Sequence, residues 1–409
     1  MTTAGVTNAL SLLDFATNSP LPFVAGRIVV EVPEAYLTDE RFEHAGIEGL
    51  AIQRLLTLAN SVEYLNFSWS VLAAKRIISS PAVYPLAAVA LCLKNASHEC
   101  VGEESITAND FLRAQQKLLS YRLSSDMFSD RQALVCLDYQ NPSLPFDLYD
   151  ESSKRLRRED EFESLVEDLL FAQRGAGFKA EKLPNFRLPL AVMLHELMEN
   201  TDDHARTNYD GSVLRPNAVR GMLVKRIFQY RKLPTRESEK SPPIPCLEFT
   251  VFDSGIGYYN SYRRQLMKGQ ARGEPVEVGD RQAEIIRKYE LGAEVPMDVE
   301  YAILQKCLSR HSNRAIPDPR PGHRGLGLYE VLRSLKMMQG MFEVRTGRIH
   351  GYRSFLSGEI QLQLEPETSK DRPGMPKASL LDATDRFSHK LTSQQLVRGT
   401  VVRIVVPLI

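Results

Sequence analysis

The stretch LEFTVFDSGIGYY, residues 247–259, decides the fold of the C-terminal half of the chain. Its apolar and β-branched beginning predicts a strand over residues 246–252, and Asp253, Gly255 and Gly257 follow at once. A carboxylate at the end of a strand can accept hydrogen bonds from an exocyclic amine such as that of adenine. The glycines allow a sharp turn and a close approach of the backbone to a ligand. On its own, this stretch fits an ordinary strand and turn as well as a binding site.

Upstream of it, the stretch LPLAVMLHELMENTDDHA, residues 188–205, has the spacing of an amphipathic helix. Glu196 and Asn200 lie one turn apart on its polar face, and Asp203 or His204 continues that face. The amide oxygen of Asn200 is a hard ligand suited to Mg²⁺, and the Glu196 carboxylate can accept a proton from an attacking water. The alternative interpretation is an exposed polar helix face.

A third motif, RPGHRGLGLYEV at residues 320–331, puts a glycine-rich loop directly before a helix predicted over residues 326–338. Backbone amides at such a helix N-terminus can cradle phosphate, and His323 and Arg324 add positive charge. The glycines of the loop are Gly322, Gly325 and Gly327. Short glycine-rich loops are common, so this motif is not specific by itself.

The final strand, predicted over residues 399–407, begins with Gly399 and Thr400. The Thr400 hydroxyl can hydrogen-bond a buried base directly or through water. The four motifs are weak one by one, and their order along the chain carries the interpretation.

Taken together, these motifs resemble the sequence boxes of the GHKL ATPase superfamily, which includes gyrase, MutL, histidine kinases and a heat-shock chaperone. The N-box matches residues 196–205, the G1 box residues 253–257, the G2 box residues 322–328, and the Gly-Thr box the final strand. The resemblance covers residues 185–409. It implies an α+β fold of the Bergerat type, in which helices pack on one face of a mixed sheet.

The resemblance also implies a role for each matching residue, with ATP and Mg²⁺ as cofactors. Asn200 is expected to ligate Mg²⁺, Glu196 to activate or position the hydrolytic water, and Asp253 to bind the adenine amine. Residues 258–321 are expected to form a lid over the triphosphate. The other residues of the implied ATP site are Asp203, His204, Gly255, Gly257, Gly322, His323, Arg324, Gly325, Leu326, Gly327 and Thr400.

The function implied is Mg²⁺-dependent ATP hydrolysis that drives a conformational switch. Two alternatives stay open: a protein kinase similar to histidine kinases or anti-sigma factors, and a regulatory module that binds nucleotide without hydrolysing it. His195 and Glu196 superficially resemble the phosphoacceptor box of histidine kinases. That box belongs on a separate helix before the N-box, and the sequence has no second helix of this kind upstream.

The first 150 residues carry no chemical motif. They alternate predicted strands, such as residues 22–31 and 132–138, with helices, such as residues 46–60 and 107–121, which indicates a smaller α/β domain acting as a sensor or scaffold. The polar stretch at residues 139–160 is the predicted domain boundary. Residues 151–184 are expected to be a linker region containing one helix.

Composition indicates the cellular compartment and the classes of partner to expect. Lysine plus arginine and aspartate plus glutamate each number 51, so the net charge does not indicate a nucleic-acid partner. The five widely spaced cysteines argue against a disulfide framework and favour a reducing compartment. The N-terminus lacks the pattern of a signal peptide, and the longest apolar run, residues 82–93, is shorter than the about 20 residues that span a bilayer. A cytoplasmic protein that binds an adenine nucleotide, and that forms a homodimer or binds a partner protein, is expected.

Overall fold

A computed structural model shows an α+β protein built on one parallel and one antiparallel sheet, with a separate two-stranded hairpin. The structure describes residues 9–17, 19–21, 26–42, 46–123, 131–138, 143–172, 181, 183–214, 216–229, 244–271, 288–289, 294–308, 327–355, 366–369, 372–376, 380–385, 388 and 390–408.

The N-terminal sheet has four parallel strands that lie side by side in chain order. Parallel neighbours need crossover connections, and the helices of this segment provide most of them. The strands are β1 (Ala9–Ser11), β2 (Arg27–Val32), β3 (Tyr64–Ser70) and β4 (Ala96–Val101). The helices are α1 (Ile47–Ala59), α2 (Val71–Ser79), α3 (Pro85–Leu91) and α4 (Ala108–Leu119).

Local sequence explains several of these boundaries. Ser70 ends β3 and caps α2, because its hydroxyl accepts a hydrogen bond from the Ala73 amide at 3.4 Å. Thr107 precedes α4, where its amide donates to the Asp110 carboxylate at 2.9 Å. The apolar run at residues 82–93, which periodicity leaves undecided between helix and strand, contains helix α3.

The second sheet has seven strands in the order β12-β9-β8-β13-β7-β6-β5. Its members are β5 (Arg131–Leu137), β6 (Val219–Gln229), β7 (Ile244–Asp253), β8 (Met341–Gly347), β9 (Ile349–Ser354), β12 (Leu381–Asp382) and β13 (Val397–Pro407). The two-stranded hairpin consists of β10 (Pro366–Ser369) and β11 (Arg372–Pro376). Every pairing within the seven-stranded sheet is antiparallel, so the expectation of a mixed sheet is wrong for the described strands.

One face of this sheet is covered by helices of the C-terminal segment. They are α5 (Glu159–Ala172), α6 (Leu183–His204), α7 (Gly257–Ala271), α8 (Met297–Cys307) and α9 (Gly327–Met337). Phe162 and Val166 of α5 share one apolar core with Leu190 and Leu194 of α6. Residues 159–172 therefore form the helix expected in this region, and that helix packs into the C-terminal core.

The opposite face of the sheet is covered by the N-terminal segment. Phe252 and Val401 lie in the core of the N-terminal segment, whereas their neighbours Val251 and Val402 lie in the other core, as the two-residue period of a strand requires. Helix α1 lies so close that a Cβ added to Gly49 would come within 2.5 Å of Thr250 Cγ2. The sheet thus has helices on both faces, and the expectation of helices on one face is wrong.

The predicted boundary between the two segments also needs correction. Strand β5, which the sequence groups with the first 150 residues, pairs with β6 at the edge of the seven-stranded sheet. Its alternate side chains face different cores, with Ala133 and Val135 on one side and Leu134 and Cys136 on the other. The chain therefore enters the second sheet before the polar stretch at residues 139–160.

The remaining predictions concern the first strand, the lid, the cysteines and membrane-spanning helices. Residues 22–25 of the first predicted strand lie outside the described residues. Within the predicted lid the structure describes α7, α8 and short adjoining segments. The five cysteines, all within the described part of the chain, form no disulfide. No described helix combines the length and apolar character needed to cross a bilayer.

The contact between α1 and the sheet makes a prediction about stability. Gly49→Ala should lower the free energy of unfolding by about 1–3 kcal/mol, because the new methyl group overlaps the stiff Thr250 side chain. An alanine without this overlap would favour the helix. Thr250→Ser, which removes the methyl group Cγ2, should rescue Gly49→Ala in urea unfolding. If the effects of the two substitutions on the free energy of unfolding are additive, the predicted contact is contradicted.

Candidate functional site

A pocket of about 390 Å³ opens between α6, α7 and the adjoining ends of β7 and β13. The pocket is lined by Leu197, Asn200, Thr201, His204, Ala205, Val251, Asp253, Gly257, Tyr258, Ser261, Thr400 and Val402. Three of the four sequence motifs, which are far apart along the chain, thus meet at one place.

Asp253 is the buried carboxyl group of the pocket, with 7% of the residue exposed. Its Oδ1 accepts a hydrogen bond from the Gly255 amide at 2.8 Å, and the Thr400 backbone donates to the same carboxyl group. Burial raises the pKa of Asp253 to about 7, and these two hydrogen bonds and the charge of Arg220 oppose the shift. A ligand that donates a hydrogen bond to the ionised carboxylate would compensate for its burial.

Glycines make this arrangement sterically possible. Gly399 has a φ of +71°, and a Cβ there would lie 1.9 Å from the Asp253 carbonyl oxygen. Gly257 has a φ of +75°, and a Cβ there would lie 2.8 Å from Thr346 Oγ1. Because both positions combine a left-handed backbone with close packing, another residue would displace the segments that hold Asp253.

Helix α6 provides the opposite wall. Asn200 and His204 lie one helical turn apart, and both line the pocket. The Asn200 Nδ2 donates to the backbone carbonyl oxygen of Glu196 at 2.8 Å. The other atom of the Asn200 side-chain amide, Oδ1, is the one suited to bind a cation. The His204 Nδ1 lies 3.2 Å from Gln265 Nε2, a contact that joins α6 to α7.

Glu196 lies beside the pocket lining, where α6 meets the beginning of α9. A Cβ added to Gly327 would lie 2.6 Å from Glu196 Oε2 and 3.4 Å from Asn200 Nδ2. Gly327 is the one residue of the predicted glycine-rich loop in the described part of the chain. The pKa of Glu196 is raised to about 7, mainly by burial and in addition by the neighbouring carboxylates of Glu199, Glu159 and Glu330. A carboxylate with a pKa near neutrality is suited to general-base chemistry.

Some predicted site residues do not join the pocket. Asp203 is exposed and does not line the pocket. Gly255 packs against Ala205, where a Cβ would lie 2.7 Å from the Ala205 Cα, and so supports the pocket from outside. The predicted phosphate-binding residues Gly322, His323, Arg324, Gly325 and Leu326 lie outside the described residues.

The structure adds lining residues that the sequence does not single out. Tyr258 and Ser261 come from the first turn of α7, and Thr201 comes from α6. The proximity of Tyr258 to Gly257 in the sequence is a signal that could have found it. The apolar residues Val251 and Val402 appear in the sequence only as core positions of strands.

A buried ion network supports the pocket from behind. Arg220 is 1% exposed and pairs with Asp138 at 2.5 Å and with Asp202 at 2.9 Å. It also donates to the Tyr149 hydroxyl. Because Asp138 follows β5 and Asp202 lies in α6, the network ties the last turn of the helix to the edge of the sheet.

His195 has a different environment from the pocket residues. Its ring packs edge-on against Phe162 at 5.3 Å between centroids, and it is not part of the pocket lining. Among the described residues, His195, Glu196 and Glu199 form a group of potential metal ligands, whose ligand atoms lie within 4.8 Å of one another. Their proximity follows from adjacent positions on one helix. The oxygen donors at Asn200 and Glu196 have the chemistry that Mg²⁺ prefers.

Comparisons of the chain with protein-family models, with curated proteins and with solved structures find no match.

The burial of Asp253 predicts how stability depends on pH. A carboxyl group with a raised pKa in the folded state binds its proton more tightly there than in the unfolded chain. Its contribution to stability is therefore largest at acidic pH and is lost as the pH rises from about 4 to about 7. Asp253→Asn removes this titration. Between pH 3 and 8 the ligand-free variant should gain stability relative to the wild type by about 1.4 kcal/mol for each unit by which the folded pKa of Asp253 exceeds the unfolded one. The free energies of unfolding of both proteins are measured in urea at each pH. If they change with pH in parallel, the raised pKa of Asp253 is contradicted.

Proposed function

We propose that the C-terminal segment binds ATP with Mg²⁺ in the manner of the GHKL superfamily, on a fold related to the Bergerat type. The observation that carries the proposal is the meeting of Asn200, His204, Asp253, Gly257 and Thr400 around one pocket. The resemblance of the sequence motifs to the GHKL boxes implies a role in nucleotide binding for these residues. A chance set of polar residues, scattered over 200 positions of the chain, has no reason to converge in this way.

The base end of the ligand fits the Asp253 side of the pocket. A buried carboxylate selects a hydrogen-bond donor, which the 6-amino group of adenine provides and the 6-oxo group of guanine does not. Val251, Val402 and Leu197 offer apolar surface for a planar ring, and the Thr400 hydroxyl is within hydrogen-bond distance of Thr346 Oγ1 at 3.3 Å. The pocket therefore favours an adenine nucleotide over a guanine nucleotide.

The phosphate end fits the side where α6 meets α9. Asn200 would hold Mg²⁺ through its amide oxygen, and the ion would supply charge stabilisation for phosphoryl transfer. Gly327 begins α9 close to Glu196 and Asn200, so a helix N-terminus, a type of site that can bind phosphate, lies in the same region. The contributions of residues 322–326 and of a moving lid stay predictions of the sequence.

Hydrolysis is the reaction that the position of Glu196 favours. Its carboxylate lies next to Asn200 and has a pKa of about 7, so it can accept a proton from a water molecule near the γ-phosphate. A phosphoacceptor role for His195 has less support, because its ring packs against Phe162 and the residue does not line the pocket. A homodimer or partner protein, and a cytoplasmic setting, stay predictions of the sequence.

Binding should depend on both ends of the pocket. Asp253→Asn should weaken ATP binding by about tenfold to a hundredfold, because an uncharged amide replaces a charge-assisted acceptor. Asn200→Ala should abolish the dependence of binding on Mg²⁺. Isothermal titration calorimetry with and without Mg²⁺ measures both, and Asp203→Asn, on the exposed side of α6, is the matched control. Wild-type protein that is folded but gives no heat with ATP would refute the proposal.

Turnover should depend on Glu196. Glu196→Gln should keep ATP binding and lower the rate of phosphate release by at least about a hundredfold, since the amide cannot accept the proton. Labelled ATP separates the possible reactions: free phosphate indicates an ATPase, and label on protein indicates a kinase. Bound nucleotide without either product over hours would indicate a regulatory module. Unchanged phosphate release in Glu196→Gln would contradict the assigned base.

A further inference from the structure

The strand that carries Thr400 is interrupted by a bulge beside the pocket. The pairing of β13 with β8 shifts register between Val397 and Thr400, so the ladder skips Arg398 and Gly399. The left-handed backbone at Gly399 is typical of such a bulge. A bulge removes backbone groups from the ladder, and buried groups of this kind need other partners.

Helix α1 of the N-terminal segment supplies those partners. The Gln53 Nε2 donates to the Gly399 carbonyl oxygen at 3.3 Å and to the Arg345 carbonyl oxygen at 3.0 Å. The Thr57 hydroxyl accepts from the Arg398 amide at 3.0 Å. Gln53 is 1% exposed and Thr57 is 3% exposed, so water does not replace either contact. Two buried polar side chains on one helix face thus bind the two bulged residues.

The bulge in turn holds the walls of the pocket. The Gly399 amide donates to the Gly255 carbonyl oxygen at 2.8 Å, and the next residue, Thr400, donates through its backbone to the Asp253 carboxyl group. A movement of the bulge would therefore move the Thr400 donor and the Gly255 turn together. Both are direct partners of Asp253.

A second contact joins the N-terminal segment to the other side of Asp253. Asn217 is completely buried, and its Oδ1 accepts from the Lys94 amide at 2.7 Å while its Nδ2 donates to the Ala59 carbonyl oxygen at 3.2 Å. The Asn217 carbonyl oxygen accepts from the Ser254 hydroxyl at 2.9 Å. Ser254, directly after Asp253, is thus held by Asn217, which in turn binds Ala59 at the end of α1.

From these contacts we infer that helix α1 is part of the nucleotide site, with Gln53 as the positioning residue that holds the Gly399 bulge and through it the purine-binding Asp253. The inference rests on the proposed function. It gives the N-terminal segment a role, because a ligand or partner that displaced α1 would change the affinity for nucleotide. Coupling of this kind is reciprocal, so bound nucleotide would also stabilise the contact of α1 with the sheet.

The test compares two glutamine substitutions in the full chain. Gln53→Met keeps the side-chain length and removes the donor to Gly399. Gln115→Met is the matched control, because Gln115 Nε2 donates to the Leu91 carbonyl oxygen at 2.8 Å within the N-terminal segment, away from the pocket. Gln53→Met should weaken ATP binding about tenfold, and Gln115→Met should leave it within about twofold of wild type.

The ratio of GTP to ATP dissociation constants separates positioning from loss of folded protein. A smaller folded fraction weakens the binding of both nucleotides equally, whereas displacement of Asp253 lowers the preference for ATP. Gln53→Met should therefore lower this ratio, and Gln115→Met should not. Thr57→Val, which removes the acceptor for Arg398, should act in the same direction and serves as a second variant if Gln53→Met does not fold.

The outcomes are distinct. Wild-type protein that does not bind ATP overturns the proposed function and this inference with it. Wild-type protein that binds ATP, together with folded Gln53→Met and Thr57→Val variants that keep the wild-type affinity and the wild-type preference for ATP, overturns the inference alone. Weaker binding and reduced preference in both variants, with the control unchanged, supports it.

Discussion

The Asp253 carboxyl group is buried at the junction of β7 and β13, where its charge is costly and its protein partners are the Gly255 and Thr400 backbones. Several features of the site keep this group in place. The glycines on either side permit the close approach of the two strands. The pKa of Asp253 is raised because burial destabilises the ionised carboxylate. A ligand that donates a hydrogen bond to this carboxylate would stabilise the ionised form.

The same constraint explains why the two halves of the chain are packed so closely. An antiparallel sheet can leave one face to solvent, but here α1 covers that face and its Gln53 side chain binds the bulge next to Asp253. These partners stabilise the bulge in the interface, because backbone groups that are buried with fewer hydrogen bonds are destabilising. The N-terminal segment thus contributes hydrogen bonds to the backbone next to the pocket.

The sequence predicted what depends on local signals. A carboxylate directly after an apolar strand, a helix with polar residues one turn apart, and a threonine at a strand start are all visible in short windows, and Asp253, Asn200 and Thr400 do line one pocket. Contacts between distant segments left no such signal. Gln53 looks like any polar residue of a helix, and β5 looks like a strand of the N-terminal sheet until its pairing with β6 is known. Asp203 and His204 both fit the helix period, and of the two only His204 lines the pocket.

A crystal structure of the full chain with Mg²⁺ and a non-hydrolysable ATP analogue tests the central claim most directly. The account predicts the 6-amino group of the purine within hydrogen-bond distance of the Asp253 carboxylate, the metal ion bound to the Asn200 amide oxygen, and α1 still in contact with Gly399. A nucleotide bound elsewhere on the protein, or a purine in this pocket with no contact to Asp253, would contradict it.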